Sequence, residues 1–96
     1  MSFTDSDIAV MTKAIETYGV IPQMVVAMEE MSELTKELCK AYRGNGNPEN
    51  IAEEIADVEI MLQQLMIIFN AEGDVGRIAR AKLKRLNLRM KGELKR

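Results

Sequence analysis

The chain has 96 residues, enough for one domain, and its formal net charge at pH 7 is -2. Apolar residues make up 47% of it, which is typical of a globular protein and excludes an intrinsically disordered chain. The small net charge gives no signal for nucleic-acid or membrane-surface binding, so neither partner is predicted. Residues 1–96 are therefore predicted to form a single domain.

Cysteine content and hydropathy predict a location in the cytoplasm. The single Cys39 has no second cysteine in the chain with which to form a disulfide, which is compatible with a reducing compartment. No basic-then-apolar leader opens the sequence, and no apolar run approaches the roughly 18 residues that cross a bilayer. We therefore expect a soluble, cytoplasmic protein without a membrane partner.

The first two predicted helices are marked by signals at their ends. Thr4 is a candidate N-cap for a helix from Asp5 to Tyr18, and Gly19 ends that helix. Pro22 suits a first helical turn, and apolar residues continue at helical spacing from there to about Tyr42. The apolar stripe of this second helix consists of Met24, Met28, Met31, Leu34 and Leu38.

A loop rich in Gly and Asn, residues 43–48, separates the second helix from the third. With Asn47 as N-cap, the third helix is predicted from Pro48 to about Asn70, because apolar residues recur there at intervals of three and four. Its part from Met61 to Phe69 is apolar nearly all round, which predicts cover from a second subunit. The fourth helix is predicted from about Val75 to Met90.

No strand pattern occurs, so the expected fold is all-α. Because the predicted loops are short, we expect an up-and-down four-helix bundle, completed by dimerisation.

Two acidic clusters occupy matching positions on the second and third predicted helices. They read EExxE at residues 29–33 and EExxD at residues 53–57. At about 100° per residue, Glu33 lies about 60° from Glu30 on a helical wheel, on the side away from the apolar stripe. Asp57 stands in the same relation to Glu54. If the two stripes pack antiparallel, the four carboxylates face each other across the edge of the bundle.

Four converging carboxylates would repel one another, and a divalent cation would relieve that repulsion. An all-oxygen ligand set suits magnesium, manganese or calcium. The chain has no His and one Cys, which argues against a di-iron centre and against structural zinc. A single Glu-x-x-Glu on a helix is usually an ordinary surface pair, but two matched clusters on one helical hairpin are much rarer. Glu37 and Glu59 are predicted at the surface or just outside the site.

The motifs Glu29-Glu30-Met-Ser-Glu33 and Glu53-Glu54-Ile-Ala-Asp57 resemble those of the MazG-like all-α nucleoside triphosphate pyrophosphohydrolases. The resemblance extends from about Ile15 to Met90. It implies cleavage of a nucleoside triphosphate to the monophosphate and pyrophosphate, as in removal of unwanted nucleotides, by a homo-oligomer of two or four chains. The implied ligands of Mg²⁺, with Mn²⁺ as the alternative ion, are Glu30, Glu33, Glu54 and Asp57. Glu29 and Glu53 are the implied catalytic residues, which assist with water or with further metal.

Three basic residues share one face of the fourth predicted helix, namely Lys82, Arg85 and Arg89. The resemblance implies that they bind the phosphates of the substrate, whereas the residues alone fit an exposed basic helix equally well. Two other functions stay open on the sequence. One is a non-catalytic helical protein that binds metal, nucleotide or a partner protein, and the other is a structural bundle with ordinary surface acids.

Overall fold

The computed structural model describes residues 3–93, and this part of the chain is helical without any strand. The all-α prediction and the number of helices are confirmed. The helices are α1 (Asp5–Tyr18), α2 (Val20–Tyr42), α3 (Pro48–Ile68) and α4 (Glu72–Met90). No helix in residues 3–93 combines the length and the apolar character needed to cross a membrane.

Side-chain caps begin two of the helices where the sequence predicts them. The Thr4 hydroxyl accepts a hydrogen bond from the Asp7 N–H at 3.1 Å, and the Asp7 carboxylate accepts one from the Thr4 N–H at 2.9 Å. This reciprocal capping box fixes the start of α1. At the start of α3, the Asn47 side chain accepts hydrogen bonds from the backbone N–H groups of Glu49 and Asn50.

Two turns are tighter than predicted, and two helices therefore begin earlier. Gly19 has a φ of +100°, a conformation that glycine adopts without steric cost, so one residue turns the chain and α2 begins at Val20 rather than Pro22. Asn70, at a φ of +50°, makes a comparable reversal after α3. As a result α4 begins at Glu72 rather than Val75.

The packing centres on the α2–α3 hairpin, in which the two helices contact each other along much of their length. α1 packs on both helices of the hairpin. In contrast, α4 contacts α3 and no other helix of residues 3–93. A single chain therefore has a three-helix core with α4 attached at one end, and α4 does not close a compact four-helix bundle.

Candidate metal centre

A hydrogen bond between two buried amides joins α2 to α3. The Gln23 Nε2 donates to Gln64 Oε1 at 2.7 Å, and both side chains are buried. Glu30 follows Gln23 by seven residues and Asp57 precedes Gln64 by seven. Seven residues make almost two helical turns, so antiparallel packing places Glu30 and Asp57 opposite each other about 10 Å from the amide pair.

Three carboxylates meet at that point. One oxygen from each of Glu30, Glu54 and Asp57 lies within 4.8 Å of the other two. Magnesium binds oxygen at about 2.1 Å in an octahedron, which keeps adjacent ligand oxygens about 3 Å apart. A shared ion would therefore require the three oxygens to approach one another to about that distance. The donors are hard oxygen atoms only, and they fit a hard divalent cation.

The electrostatics of the cluster show the repulsion expected of packed acids. Burial raises the pKa of Glu30 above its usual value, and the charges of Asp57 and Glu54 raise it further. Burial is also the largest cause of the raised pKa of Glu54, followed by the charge of Asp57 and then that of Glu33. Both carboxyls are harder to ionise than an isolated glutamate, so nearby positive charge would stabilise their ionised forms.

One atom of the cluster lacks the hydrogen bond that a buried acceptor normally has. Glu54 Oε2 is shielded from solvent and has no hydrogen-bond partner among the described residues. A buried unsatisfied acceptor costs free energy, which a ligand with positive charge would recover. The atom belongs to a residue of the three-carboxylate group.

The acids lie closer to the helix–helix seam than the sequence predicts. Gln23, Ala27 and Glu37 are the buried residues of α2, and all three lie within about 60° of Glu30 on a helical wheel. Met31 and Leu38, which belong to the predicted apolar stripe, are exposed by 38% and 50%. Glu30 and Glu54 are half-buried and Asp57 is exposed, so the three-carboxylate group still opens to solvent. Ala27, 1% exposed, has a small side chain that allows α3 to pack close on the Glu30 side of α2.

The other predicted ligand and the two predicted catalytic acids lie on one side of the seam. Glu33 is exposed and lies outside the three-carboxylate group, although its charge raises the pKa of both Glu30 and Glu54. Glu29 and Glu53 are exposed as well. When two antiparallel helices are viewed from one end, their chains turn in opposite senses. Residues displaced by similar angles from Glu30 in α2 and from Glu54 in α3 therefore fall on the same side of the hairpin. These residues are Glu29, Glu33, Glu53 and Asp57. We call this side the acidic face.

The predicted phosphate-binding residues are not brought to the acidic face within one chain. Lys82 and Arg85 are exposed, Arg89 is half-buried, and α4 makes no contact with α2. No ion pair links these three residues to an acid of α2 or α3 within residues 3–93. Their role in substrate binding stays a prediction.

Glu37 is closer to the site than the sequence indicated. It is 7% exposed, its Oε2 lies 3.1 Å from Lys40 Nζ, and its charge contributes to the raised pKa of Glu54. The seven-residue interval between Glu30 and Glu37 was the available signal, because it places both on one side of α2. Lys40 thus brings a positive charge next to the acidic cluster.

Comparisons of the chain with protein-family models, with curated proteins and with solved structures found no match. The relation to MazG-like enzymes accordingly stays a prediction based on the two motifs. What can be concluded is that two acidic motifs of this chain converge into one carboxylate cluster on a helical hairpin.

Proposed function

We propose that the protein is a magnesium-dependent nucleoside triphosphate pyrophosphohydrolase, which converts its substrate to a monophosphate and pyrophosphate. The observation that carries the proposal is the convergence of Glu30, Glu54 and Asp57, including the unsatisfied Glu54 Oε2. The two motifs that supply these residues are also those that resemble the MazG-like enzymes. The cellular role that follows is removal of unwanted nucleotides from the nucleotide pool.

In this proposal Glu30, Glu54 and Asp57 would hold Mg²⁺ or Mn²⁺, and Glu33 would join them from the acidic face. The bound ion would supply a Lewis acid that polarises phosphate oxygens and lowers the pKa of a water molecule. Because the acidic face is open to solvent, a triphosphate can approach it without displacing a helix.

The reaction is hydrolysis of the bond between the α- and β-phosphates. Water adds to phosphorus, the bond to the bridging oxygen breaks, and pyrophosphate leaves. Glu29 or Glu53 would accept the proton of the attacking water, since both are exposed beside the ligands. Lys82, Arg85 and Arg89 would neutralise the charge of the triphosphate, which requires α4 to reach an acidic face.

A second candidate is a protein that binds metal or nucleotide without turnover. The separation of α4 from α2 favours it, because a single chain leaves the acidic cluster without these three basic residues. In that case the cluster would bind magnesium but would not orient a triphosphate for attack by water.

Incubation of the protein with canonical and modified nucleoside triphosphates and magnesium distinguishes these functions, with pyrophosphate and monophosphate as the measured products. We expect the wild-type protein to release both in equal amounts and Glu54→Gln to release neither. Glu59→Gln is the matched control, since Glu59 is a half-buried glutamate of the same helix but lies outside the cluster. Binding of magnesium or of a nucleotide in calorimetric titration, without turnover of any nucleotide, would support the second candidate, and binding of neither would refute both.

A further inference from the structure

A cavity lies between α1 and α3, beside the three-carboxylate group. Its volume is about 300 Å³, and its lining residues are Phe3, Asp7, Val10, Met11 and Ile60. Ile60 follows Asp57 by three residues, which places it about 4.5 Å farther along the α3 axis and about 60° around it. On a helical wheel Ile60 also lies about 20° from Glu53. The cavity therefore begins about one helical turn from the candidate metal ligands, on the side of α3 that belongs to the acidic face.

The walls of this cavity are mainly apolar, and one of them is aromatic. Met11 is 5% exposed and Val10 is 68% exposed, so the cavity is closed on one side and open to solvent on another. Phe3 is half-buried. The other aromatic residues lie at helix ends, twelve residues from Glu30 or Asp57, which is about 15 Å or more along a helix axis; they are Tyr18, Tyr42 and Phe69. Phe3 is therefore the aromatic residue nearest the carboxylates, and a flat, largely apolar ligand fits beside its ring.

Asp7 is the polar residue among those that line the cavity. Its Oδ2 accepts a hydrogen bond from the Thr4 N–H at 2.9 Å, whereas its Oδ1 accepts none from residues 3–93. The hydrogen bond from the Thr4 backbone, followed by that of the Thr4 side chain, lowers the pKa of Asp7, so the carboxylate is ionised at neutral pH. An ionised carboxylate only accepts hydrogen bonds, so a ligand in the cavity must present a donor to Oδ1.

The cavity and the three-carboxylate group are spaced as the two parts of a nucleotide require. In a nucleotide only the sugar separates the base from the α-phosphate, a length comparable with one helical turn. A cation held by Glu30, Glu54 and Asp57 would fix the phosphates, and the base would then reach the cavity along the acidic face. A nucleotide can therefore span both sites within one chain.

From these observations we propose that the cavity binds the base of the nucleotide, which lies against the Phe3 ring and donates a hydrogen bond from an amino group to Asp7 Oδ1. The inference rests on the proposed function, because the metal site supplies the anchor for the phosphates. Cytosine, adenine and guanine carry such an amino group, whereas uracil, thymine and hypoxanthine carry a carbonyl oxygen or a hydrogen in its place. A carbonyl oxygen that faces the carboxylate would leave two acceptors without a proton between them. The substrate class is therefore nucleoside triphosphates with an amino-bearing base.

The first test compares nucleotides that differ only in one amino group. The pairs are cytosine and pyrimidin-2-one, adenine and purine, and guanine and hypoxanthine, each as the α,β-methylene triphosphate, which resists cleavage. Titration calorimetry with magnesium gives the affinities. Because a hydrogen bond to a charged group at an exposed site accounts for about tenfold in affinity, the wild type should bind the amino member of at least one pair that much more tightly. Equal affinities within all three pairs, or no binding of any analogue, would overturn the proposal.

The second test uses variants of the lining residues with the same analogues. Asp7→Asn keeps an oxygen that accepts from the Thr4 N–H and turns its NH₂ group towards the ligand, so the preference for the amino member should disappear. Asp5→Asn is the matched control and should keep the preference, since Asp5 is an exposed acid of the same helical turn but does not line the cavity. Phe3→Leu keeps an apolar wall without a ring face. It should weaken binding of every analogue about tenfold and leave the binding of pyrophosphate unchanged, because pyrophosphate has no base.

The outcomes separate the base site from the proposed hydrolysis. A preference that persists in Asp7→Asn would refute the base site, as would equal weakening of pyrophosphate and of the analogues in Phe3→Leu. Because the analogues are not cleaved, neither result depends on turnover. If the wild type shows the preference but releases no pyrophosphate from natural triphosphates, only the proposed hydrolysis fails.

Discussion

The buried amide pair offers a sharp test of how the acidic cluster is assembled. In Gln64→Leu, the Gln23 side chain stays buried but loses the acceptor that lies 2.7 Å from its Nε2. An unsatisfied buried polar group costs about 1–3 kcal/mol, whereas replacing both partners by apolar side chains of similar size is nearly neutral. We therefore expect Gln64→Leu to lower the free energy of unfolding by about 1–3 kcal/mol, and the double variant with Gln23→Leu to recover most of that loss.

The same substitution should weaken magnesium binding, because the amide pair sets the register that places Glu30 opposite Asp57. Urea denaturation at fixed protein concentration gives the unfolding free energy, and magnesium titration gives the affinity. Gln63→Leu is the control, since Gln63 is buried in the same helix but forms no side-chain hydrogen bond with the described residues. Equal losses of unfolding free energy and of magnesium affinity in Gln63→Leu and Gln64→Leu would show that the pair does not set the register. The same conclusion would follow if the loss in the Gln23→Leu/Gln64→Leu double variant equalled the sum of the two single losses.

Three further predictions concern the cluster itself. Glu33→Gln should raise the melting temperature of the metal-free protein and reduce the stabilisation by magnesium, and an unchanged magnesium response in thermal denaturation would exclude Glu33 as a ligand. The pKa values of Glu30 and Glu54 are raised in the folded state, so the folded state binds more protons than the unfolded state. The unfolding free energy of the metal-free protein should therefore fall as pH rises above about 4.3. Saturating magnesium should reduce this dependence of the unfolding free energy on pH. If the unfolding free energy depended on pH equally with and without magnesium, Glu30 and Glu54 would not be ligands. Ala27→Leu should lower the unfolding free energy in urea denaturation by about 1–3 kcal/mol, because a larger side chain at this buried residue separates α2 from α3. The same separation should weaken magnesium binding. An Ala27→Leu protein as stable as wild type would contradict close packing at this residue.

Local sequence signals predicted the helices well because caps and turns depend on nearby residues. Thr4 and Asn47 cap α1 and α3 as predicted, and the Gly- and Asn-rich loop sets the antiparallel hairpin. Given that hairpin, the matched spacing of the EExxE and EExxD motifs is sufficient to bring Glu30 near Asp57. This part of the candidate site could be predicted from the sequence because a short loop makes the two helices antiparallel neighbours, whereas the buried Gln23–Gln64 pair that joins them could not.

The burial of α2 could not be predicted, because it depends on which helices pack around it. Hydropathy favours burial of Met31 and Leu38, but α4 does not cover that side within one chain and both stay exposed. Burial instead centres on Glu30 and includes the polar Gln23 and the acidic Glu37. Apolar periodicity identifies a surface that prefers contact, and it does not indicate whether the contact comes from the same chain or from another.

The α2–α3 hairpin carries two chemically different surfaces. Between the helices, the pKa values of Glu30 and Glu54 are raised and Glu54 Oε2 lacks a hydrogen-bond partner among the described residues, so a bound cation would stabilise the ionised carboxylates. Met28 and Leu38 of α2 are exposed apolar residues outside the three-carboxylate group. Because neither they nor α4 contributes a carboxylate to that group, we infer that substitutions there leave magnesium binding unchanged. Leu83→Glu should then bind magnesium as the wild type does, whereas Glu54→Gln should lose it.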